Sequence, residues 1–187
     1  MIRAAGLALA IVAVLVAALS GWLVSRQEGV PRPQALRPLA GLPLRGAAGS
    51  TVTVEDYRGK VVVLVFGCVS CWENGDSILE EMRRALRRLG GSADEVQVLV
   101  VSIAPAQETV DSVAARATAS GRGFVGLMAS PEVMQRVAAL GLVTDDPEAA
   151  PVMVLDQRGH LRLAFPFRIS APSFAEDLAV LLRPMHS

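Results

Sequence analysis

Two cysteines are the residues of this chain best suited to chemistry. Cys68 and Cys71 are the only cysteines among 187 residues, and two positions separate them. Such a pair can form a disulfide if the loop brings the two Cα atoms within about 7 Å. Two thiolates can also bind a soft ion such as Cu(I), which prefers sulfur ligands. The remaining interpretation is structural, because cysteines are often small buried core residues.

The residues around the two cysteines favour redox or metal chemistry. An uninterrupted apolar run at residues 61–66 predicts a strand buried on both faces. Apolar residues then recur at helical spacing from Ile78 to Leu89 and stop at Gly90. The cysteines thus lie between a strand and a helix start, where free N–H groups and the helix dipole favour thiolate. Cys71, nearer the helix, is the expected nucleophile.

The rest of the chain predicts an α/β fold with a mixed sheet and helices on both faces. Strands alternate with helices and a hairpin follows, which is the pattern of such a sheet. The predicted strands lie at residues 51–54, 96–103, 124–127, 152–155 and 161–165, and the predicted helices at residues 110–118, 131–140 and 172–182.

The amino-terminal part predicts a membrane anchor and a spacer. Residues 4–24 are uncharged and apolar, close to the roughly 20 residues that a transmembrane helix needs. We therefore expect an anchor at residues 1–25, a Pro/Gly-rich spacer at residues 26–49 and one domain at residues 50–187. The small residues Ala18 and Ser20 leave a cleaved signal peptide as the alternative. The short amino-terminal side places the large domain outside the cytoplasm.

The charge balance excludes one class of partner. Eighteen Lys and Arg residues match eighteen Asp and Glu residues, so the chain has no net positive field to attract nucleic acid. Nucleic-acid binding is therefore not expected.

Several sequence segments resemble the Sco/SenC family. Residues 61–67, followed by Cys71, are similar to the family's strand that ends in Phe-Gly before a Cys-x-x-x-Cys motif. Residues 98–105 resemble its strand ending in Ser-Val-Asp-Pro, and Glu108-Thr109 resembles the Asp-Thr that follows. The resemblance covers about residues 45–183. It implies a thioredoxin-like, membrane-tethered protein that binds copper and helps assemble the copper centre of cytochrome c oxidase.

The chain departs from the family pattern at the copper ligands. The resemblance implies a site of two cysteines and a distant histidine, and Cys71 matches the first cysteine. The second cysteine falls on Gly75, the histidine on or near Glu148, and the aspartate before the proline on Ala104. Glu148 is a hard oxygen donor that adds little for a soft ion. Cys68 could supply the missing thiol from the other side of Cys71.

Three hypotheses follow for function. The first is a Sco-like accessory protein on the periplasmic side of a bacterial cell membrane, held by a single amino-terminal helix. It would assist copper-site or oxidase maturation through Cys68 and Cys71, with a cytochrome c oxidase subunit or another thiol protein as partner and Cu(I) as the metal. The second is a metal-independent thiol-disulfide oxidoreductase. The third is a non-catalytic scaffold that kept the fold.

Other polar and sulfur-bearing residues are expected to be structural. His160 follows a glycine in a predicted turn and His186 is next to last, so both are predicted surface residues. Met82 and Met153 fit apolar stripes and are predicted to lie in the core. The remaining expectations are a solvated arginine face with Glu80 paired to Arg84, a cis-proline at Pro151 and a lid or partner contact at Trp72.

Overall fold

A seven-stranded mixed sheet organises the part of the chain that the structure describes. The structure is a computed structural model and describes residues 41, 43–68, 75–139, 152–165 and 169–183. The strands are β1 Leu44–Arg45, β2 Thr51–Val52, β3 Val61–Gly67, β4 Val96–Ser102, β5 Phe124–Ala129, β6 Val152–Leu155 and β7 Leu161–Phe165. The helices are α1 Gly75–Leu89, α2 Val110–Ser120, α3 Pro131–Ala139 and α4 Ala171–Leu182.

The strand predicted at residues 61–66 lies at the centre of the sheet. The strand order is β2-β1-β5-β4-β3-β6-β7, with β3 parallel to β4 and antiparallel to β6. All seven residues of β3 are buried, as expected for a strand covered on both faces. Val65 packs into one hydrophobic cluster and Phe66 into the other, because successive side chains point to opposite faces.

Helices cover both faces of the sheet, as the sequence predicts. One face carries α1, α2 and α4, which contribute Met82, Val113 and Phe174 to a single cluster with the odd-numbered valines of β3. The opposite face carries α3, whose Val133 packs with Leu64. The periodicity of α1 is that of an amphipathic helix, and its apolar stripe faces the sheet.

The folded domain includes residues that sequence analysis assigns to the spacer. Leu44 and Arg45 form β1, which pairs antiparallel with both β2 and β5, and Leu44 is buried. The sheet therefore includes residues before position 50. A two-residue strand is too short to leave a period-2 pattern, so the pairing of β1 depends on tertiary contacts.

The predicted first strand is also shorter than expected. It ends at Val52, and Val54–Tyr57 form a 3-10 turn instead. Asp56 causes this change, because its Oδ2 accepts a hydrogen bond from the Thr53 backbone N–H at 2.7 Å. The two residues form a capping box that begins the turn.

The carboxyl-terminal half follows its predicted elements closely. The hairpin strands β6 and β7 have the predicted bounds, with a register shift at Val154/Leu155. Ser130 caps α3, because its Oγ accepts from the Val133 backbone N–H at 3.2 Å. The helix predicted at residues 131–140 is thus confirmed over Pro131–Ala139.

The predicted anchor at residues 4–24 lies outside the described residues. Within the part of the chain that the structure describes, no helix is long and apolar enough to cross a membrane. The anchor and the alternative signal peptide stay predictions.

Candidate functional site

The carboxyl ends of β3 and β4 form the edge at which the candidate site lies. Because the two strands are parallel, their carboxyl ends meet at the same edge of the sheet. Gly67 is aligned with Ser102, and the Ile103 backbone N–H donates to the Gly67 carbonyl at 3.1 Å. Cys68 follows directly and is only 4% exposed. The first cysteine is therefore buried at the end of the central strand.

Cys68 is disulfide-bonded in the structure. No described cysteine is free, and the chain contains one other cysteine, Cys71. The pairing of Cys68 with Cys71 stays a prediction. Cys71 itself and Trp72 lie outside the described residues, so the position of Cys71 at the helix start and its role as nucleophile stay predictions.

A buried serine and a buried glutamate lie at the same edge. Ser102 is fully buried and Glu108 is 7% exposed. The Ser102 hydroxyl donates to Glu108 Oε2 at 2.5 Å and accepts from the Ala104 backbone N–H at 3.2 Å. A buried carboxylate is costly unless it is hydrogen-bonded, so this contact stabilises the loop between β4 and α2.

Sequence analysis places Ser102 and Glu108 in a family-like motif but not in the site. One signal could have found them. Both belong to the end of the strand that is expected beside the cysteine strand, and parallel neighbours bring their following loops to one edge. The hydrogen bond that joins them depends on the folded loop, in which the Glu108 backbone N–H donates to the Ala104 carbonyl at 3.0 Å.

A groove extends from this edge toward the amino-terminal strands. Its volume is about 440 Å³, and Arg45, Pro105, Glu108 and Met128 are among its lining residues. Met128 is aligned with Ser102 on one side and with Arg45 on the other. The Arg45 guanidinium lies 3.5 Å from the Met128 sulfur. The groove thus begins one strand away from the strand that carries Cys68.

The structure locates two of the positions at which the chain departs from the family pattern. Gly75 begins α1, so the position of the family's second cysteine is a helix start without a thiol. Ala104 lies in the loop after β4 and donates its N–H to Ser102. Glu148 and Pro151 lie outside the described residues. Among the residues that the structure does describe, no group of three His, Cys, Asp or Glu could hold a metal.

The histidine and methionine predictions are confirmed where the structure describes them. The His160 side chain is 52% exposed, with Nδ1 3.7 Å from Asp156 Oδ2. Met82 and Met153 are buried in the two core clusters. His186 lies outside the described residues.

The arginine face of α1 is solvated and is organised by one glutamate. Glu80 Oε2 accepts from Arg83 Nε at 2.6 Å, and Glu80 Oε1 lies 3.5 Å from Arg84 Nε, as predicted for that pair. The hydrogen bond from Arg83 lowers the pKa of Glu80, and the charges of Arg83, Arg87 and Arg84 lower it further. The arginine side chains are about half exposed, which confirms a solvated face.

One curated relative matches the chain in part. It is a protein of Stutzerimonas stutzeri that is named for copper binding. It is 29% identical over 115 residues, which are 60% of this chain and 55% of that protein. The chain therefore spans about half the length of this relative.

Solved Sco structures share the fold. The copper-bound structure of ScoI from Bradyrhizobium japonicum matches with a TM-score of 0.61 and 21% identity over 75% of this chain and 96% of that one. BsSco, described as a cytochrome c oxidase assembly protein with a disulfide switch, matches with a TM-score of 0.62 and 12% identity. That match covers 78% of this chain and 94% of BsSco. The predicted thioredoxin-like α/β fold is thus confirmed.

The family assignment rests on a match that covers most of the chain. The SCO1/SenC family matches residues 43–182, which include every described strand and helix from β1 to α4. This range includes β1, which sequence analysis assigns to the spacer. The chain therefore belongs to the SCO1/SenC family.

Proposed function

We propose that this chain is a membrane-anchored accessory protein of the cell envelope that assists copper-site maturation of cytochrome c oxidase through a Cys68/Cys71 dithiol. One observation carries the proposal: Cys68 is buried and disulfide-bonded at the carboxyl end of the central strand of a SCO1/SenC domain. The names of the relatives support it, because they include copper binding and cytochrome c oxidase assembly.

The thiol chemistry requires a partner dithiol. A thiolate of the partner attacks one sulfur of the Cys68/Cys71 disulfide and forms a mixed disulfide, and the second partner thiolate then displaces the chain's sulfur. One S–S bond breaks in the chain and one forms in the partner. Two electrons and two protons pass from the partner to the chain. The reverse reaction oxidises a partner dithiol.

The donor atoms of the two cysteines fit Cu(I) as cargo. Reduction releases two sulfurs, and soft thiolate ligands suit Cu(I) in a two-coordinate arrangement. Gly75 offers no third sulfur. Glu148 would add a hard oxygen, so we propose that copper is held by Cys68 and Cys71 and that Glu148 is not a ligand.

Thiol-disulfide exchange without metal is the second candidate function. The disulfide state of Cys68 favours it, because a disulfide cannot bind Cu(I) until it is reduced. The two candidates share the dithiol and differ in whether the reduced form binds copper under physiological conditions.

A Cu(I) titration of the reduced full chain in the presence of a competing chelator tests the proposal. We expect one Cu(I) per wild-type chain. We also expect Cys68→Ser and Cys71→Ser to lose binding by at least a hundredfold, because each leaves a single thiolate. Glu148→Gln serves as the matched control and should bind as the wild type does.

The outcomes separate the hypotheses. If the wild-type chain binds no Cu(I) but cycles reversibly between dithiol and disulfide, the metal-independent oxidoreductase is the correct function. If Cys68→Ser keeps wild-type Cu(I) affinity and still supports oxidase assembly in cells that lack the native protein, Cys68 is a core residue and the dithiol proposal is wrong.

A further inference from the structure

We infer that the arginine face of α1, together with the groove beside it, docks an acidic segment of the protein whose dithiol exchanges with the disulfide of Cys68. The arginine face consists of Arg83, Arg84, Arg87 and Arg88. The inference rests on the proposed dithiol function and deepens it, because it names the chemistry by which the partner is recognised.

The first step concerns the charge of this face. Glu80 lies 2.5 to 3.6 Å from three of the four arginines and is shared among them. Glu81 pairs with Arg84 at 2.8 Å, and its other oxygen accepts from the Ala171 backbone N–H at 2.6 Å. Within the described part of the chain the face has no further ion pair, and Arg88 has none. Two acids thus meet four arginines, which leaves a surplus of positive charge.

Acids elsewhere do not remove this surplus. On the two helices that pack against α1, the acids are Asp111 of α2 and Glu176 and Asp177 of α4, and none of them forms an ion pair with the arginine face. Asp76 is the remaining acid of α1 and lies about two turns before Arg83. Exposed ion pairs are weak, so a carboxylate of another protein can compete with Glu80 and Glu81 for these arginines.

The second step concerns the groove. It lies between α1 and α2, has a volume of about 430 Å³ and is lined by Leu79, Glu80, Arg83, Arg116, Ala119 and Ser120. Arg83 belongs both to the groove and to the arginine face. A concave site of this size admits the side chains of an extended chain segment. The shape therefore favours a segment of a protein, and the positive charge favours an acidic one.

The third step relates the groove to the reacting residues. The helix α1 begins at Gly75, four residues after Cys71. A rise of 1.5 Å per residue puts Leu79 about 6 Å and Arg83 about 12 Å along the helix from its start. A standard interface covers about 800 Å² on each partner, which is about 30 Å across. A partner whose thiols reach the disulfide of Cys68 therefore also reaches the groove.

A face that is only solvated makes a different prediction. In that case the charge of an incoming dithiol does not matter, and the removal of an arginine leaves the preference between dithiols unchanged. If the face docks an acidic segment, an acidic dithiol should react faster than a neutral one. This advantage should depend on the arginines and should decrease in high salt.

The experiment reduces the full chain with two synthetic dithiol peptides. Each begins with Cys-Gly-Gly-Cys and four glycines, and it ends in either four glutamates or four glutamines. The peptide thiols reduce the disulfide of the chain and become a peptide disulfide, so two electrons and two protons pass to the chain. Alkylation and mass spectrometry give the two second-order rate constants. Because the same peptides are used throughout, any difference between their own thiols cancels when variants are compared with the wild type.

We expect the glutamate peptide to reduce the wild-type chain about tenfold faster than the glutamine peptide at low salt. Arg83→Gln should lower this ratio to less than about threefold, because Arg83 lines both the groove and the face. Arg136→Gln is the matched control and should keep the wild-type ratio within twofold. It removes an exposed arginine on α3, on the opposite face of the sheet.

Three results would overturn the inference. Equal rates with both peptides contradict it, while reversible exchange with either peptide leaves the dithiol function standing. An equal loss of preference in Arg83→Gln and Arg136→Gln shows a general charge effect and contradicts it too. A wild-type disulfide that neither peptide reduces overturns this inference and the proposed function together. If Arg83→Gln does not fold, Arg87→Gln gives the decision, because Arg87 is 51% exposed and its loss should also lower the ratio.

Discussion

Two buried carboxylates at different places in the fold have the same exposure and different surroundings. Asp156 and Glu108 are each 7% exposed. Asp156 lies in the turn between β6 and β7, where Oδ1 accepts from the backbone N–H groups of Arg158 at 3.0 Å and His160 at 2.9 Å. Glu108 instead accepts from a side-chain hydroxyl at the edge that carries Cys68.

The difference distinguishes an acid that backbone groups hold in a turn from an acid that a side chain holds at the edge of the sheet. The contacts of Asp156 are local backbone groups, with Arg162 Nη1 at 3.8 Å as a nearby positive charge. A turn of this kind needs an acceptor at that position, and the requirement explains the burial. Glu108 is instead joined to Ser102 at the end of β4, and this side-chain hydrogen bond fixes the loop between β4 and α2 beside the strand that carries Cys68. Loss of Asp156 should therefore cost two backbone hydrogen bonds in a turn, and loss of the Ser102 hydroxyl should release one side-chain contact at the edge of the sheet.

The largest stability effect is expected at Asp156. Asp156→Ala removes the acceptor of two backbone N–H groups, and we expect a loss of about 3 kcal/mol in the free energy of unfolding. Urea denaturation of the full chain measures it. A loss of less than about 1 kcal/mol would contradict the structural role of these two hydrogen bonds.

Ser102→Ala should have an intermediate effect. It removes the hydroxyl that donates to Glu108 and accepts from the Ala104 N–H, so we expect a loss of about 1.5 kcal/mol in urea denaturation. Ser92→Ala, at an exposed serine between α1 and β4, should cost less. Equal losses in the two variants would mean that the buried hydrogen bond adds nothing.

Glu108→Gln should change stability by less than about 1 kcal/mol, because the amide oxygen can still accept from Ser102. Asp156→Asn is the matched substitution in the turn, because it also removes a negative charge and keeps an acceptor oxygen. A Glu108→Gln protein that loses as much stability as Ser102→Ala would contradict this expectation, because it would mean that the charge matters more than the acceptor oxygen.

The smallest effect is expected at the partly exposed carboxylate Glu80. Its folded pKa lies below the ordinary value, first because Arg83 donates to it. Its contribution to stability is therefore present above the ordinary pKa and is lost as the pH falls through the folded pKa. Thermal unfolding of wild type and Glu80→Gln should differ slightly at pH 7, less in high salt, and less as the pH falls. A difference that stays the same in high salt and at low pH would contradict an electrostatic origin.

The sequence predicts the elements that have long, regular patterns. The apolar run of β3 follows from burial of both faces of the strand, and the helical spacing of apolar residues in α1 follows from burial of one face of the helix. The β6–β7 turn has a recognisable Asp and Gly. The strand β1 could not be predicted because two residues carry no period. Its pairing with β5 joins positions far apart in the sequence.

The candidate site is predictable only in part for the same reason. Cys68 and Cys71 are visible as residue types at a known spacing, and the resemblance marks the segment that contains Ser102 and Glu108. The contact between Ser102 and Glu108 is a hydrogen bond within a folded loop, and the alignment of Ser102 with Gly67 depends on strand order. Neither follows from local patterns.

The reversible pairing of Cys68 with Cys71 is the central claim, and peptide mapping tests it most directly. Trypsin should release residues 61–83 as one peptide that contains both cysteines, because no Lys or Arg lies between Lys60 and Arg83. From the purified full chain we predict a peptide that is lighter by two hydrogen atoms and resists alkylation. After reduction it should take two alkyl groups, and reoxidation should restore the original mass. Two freely alkylated cysteines in the untreated protein, or a disulfide that links two chains, would contradict the account.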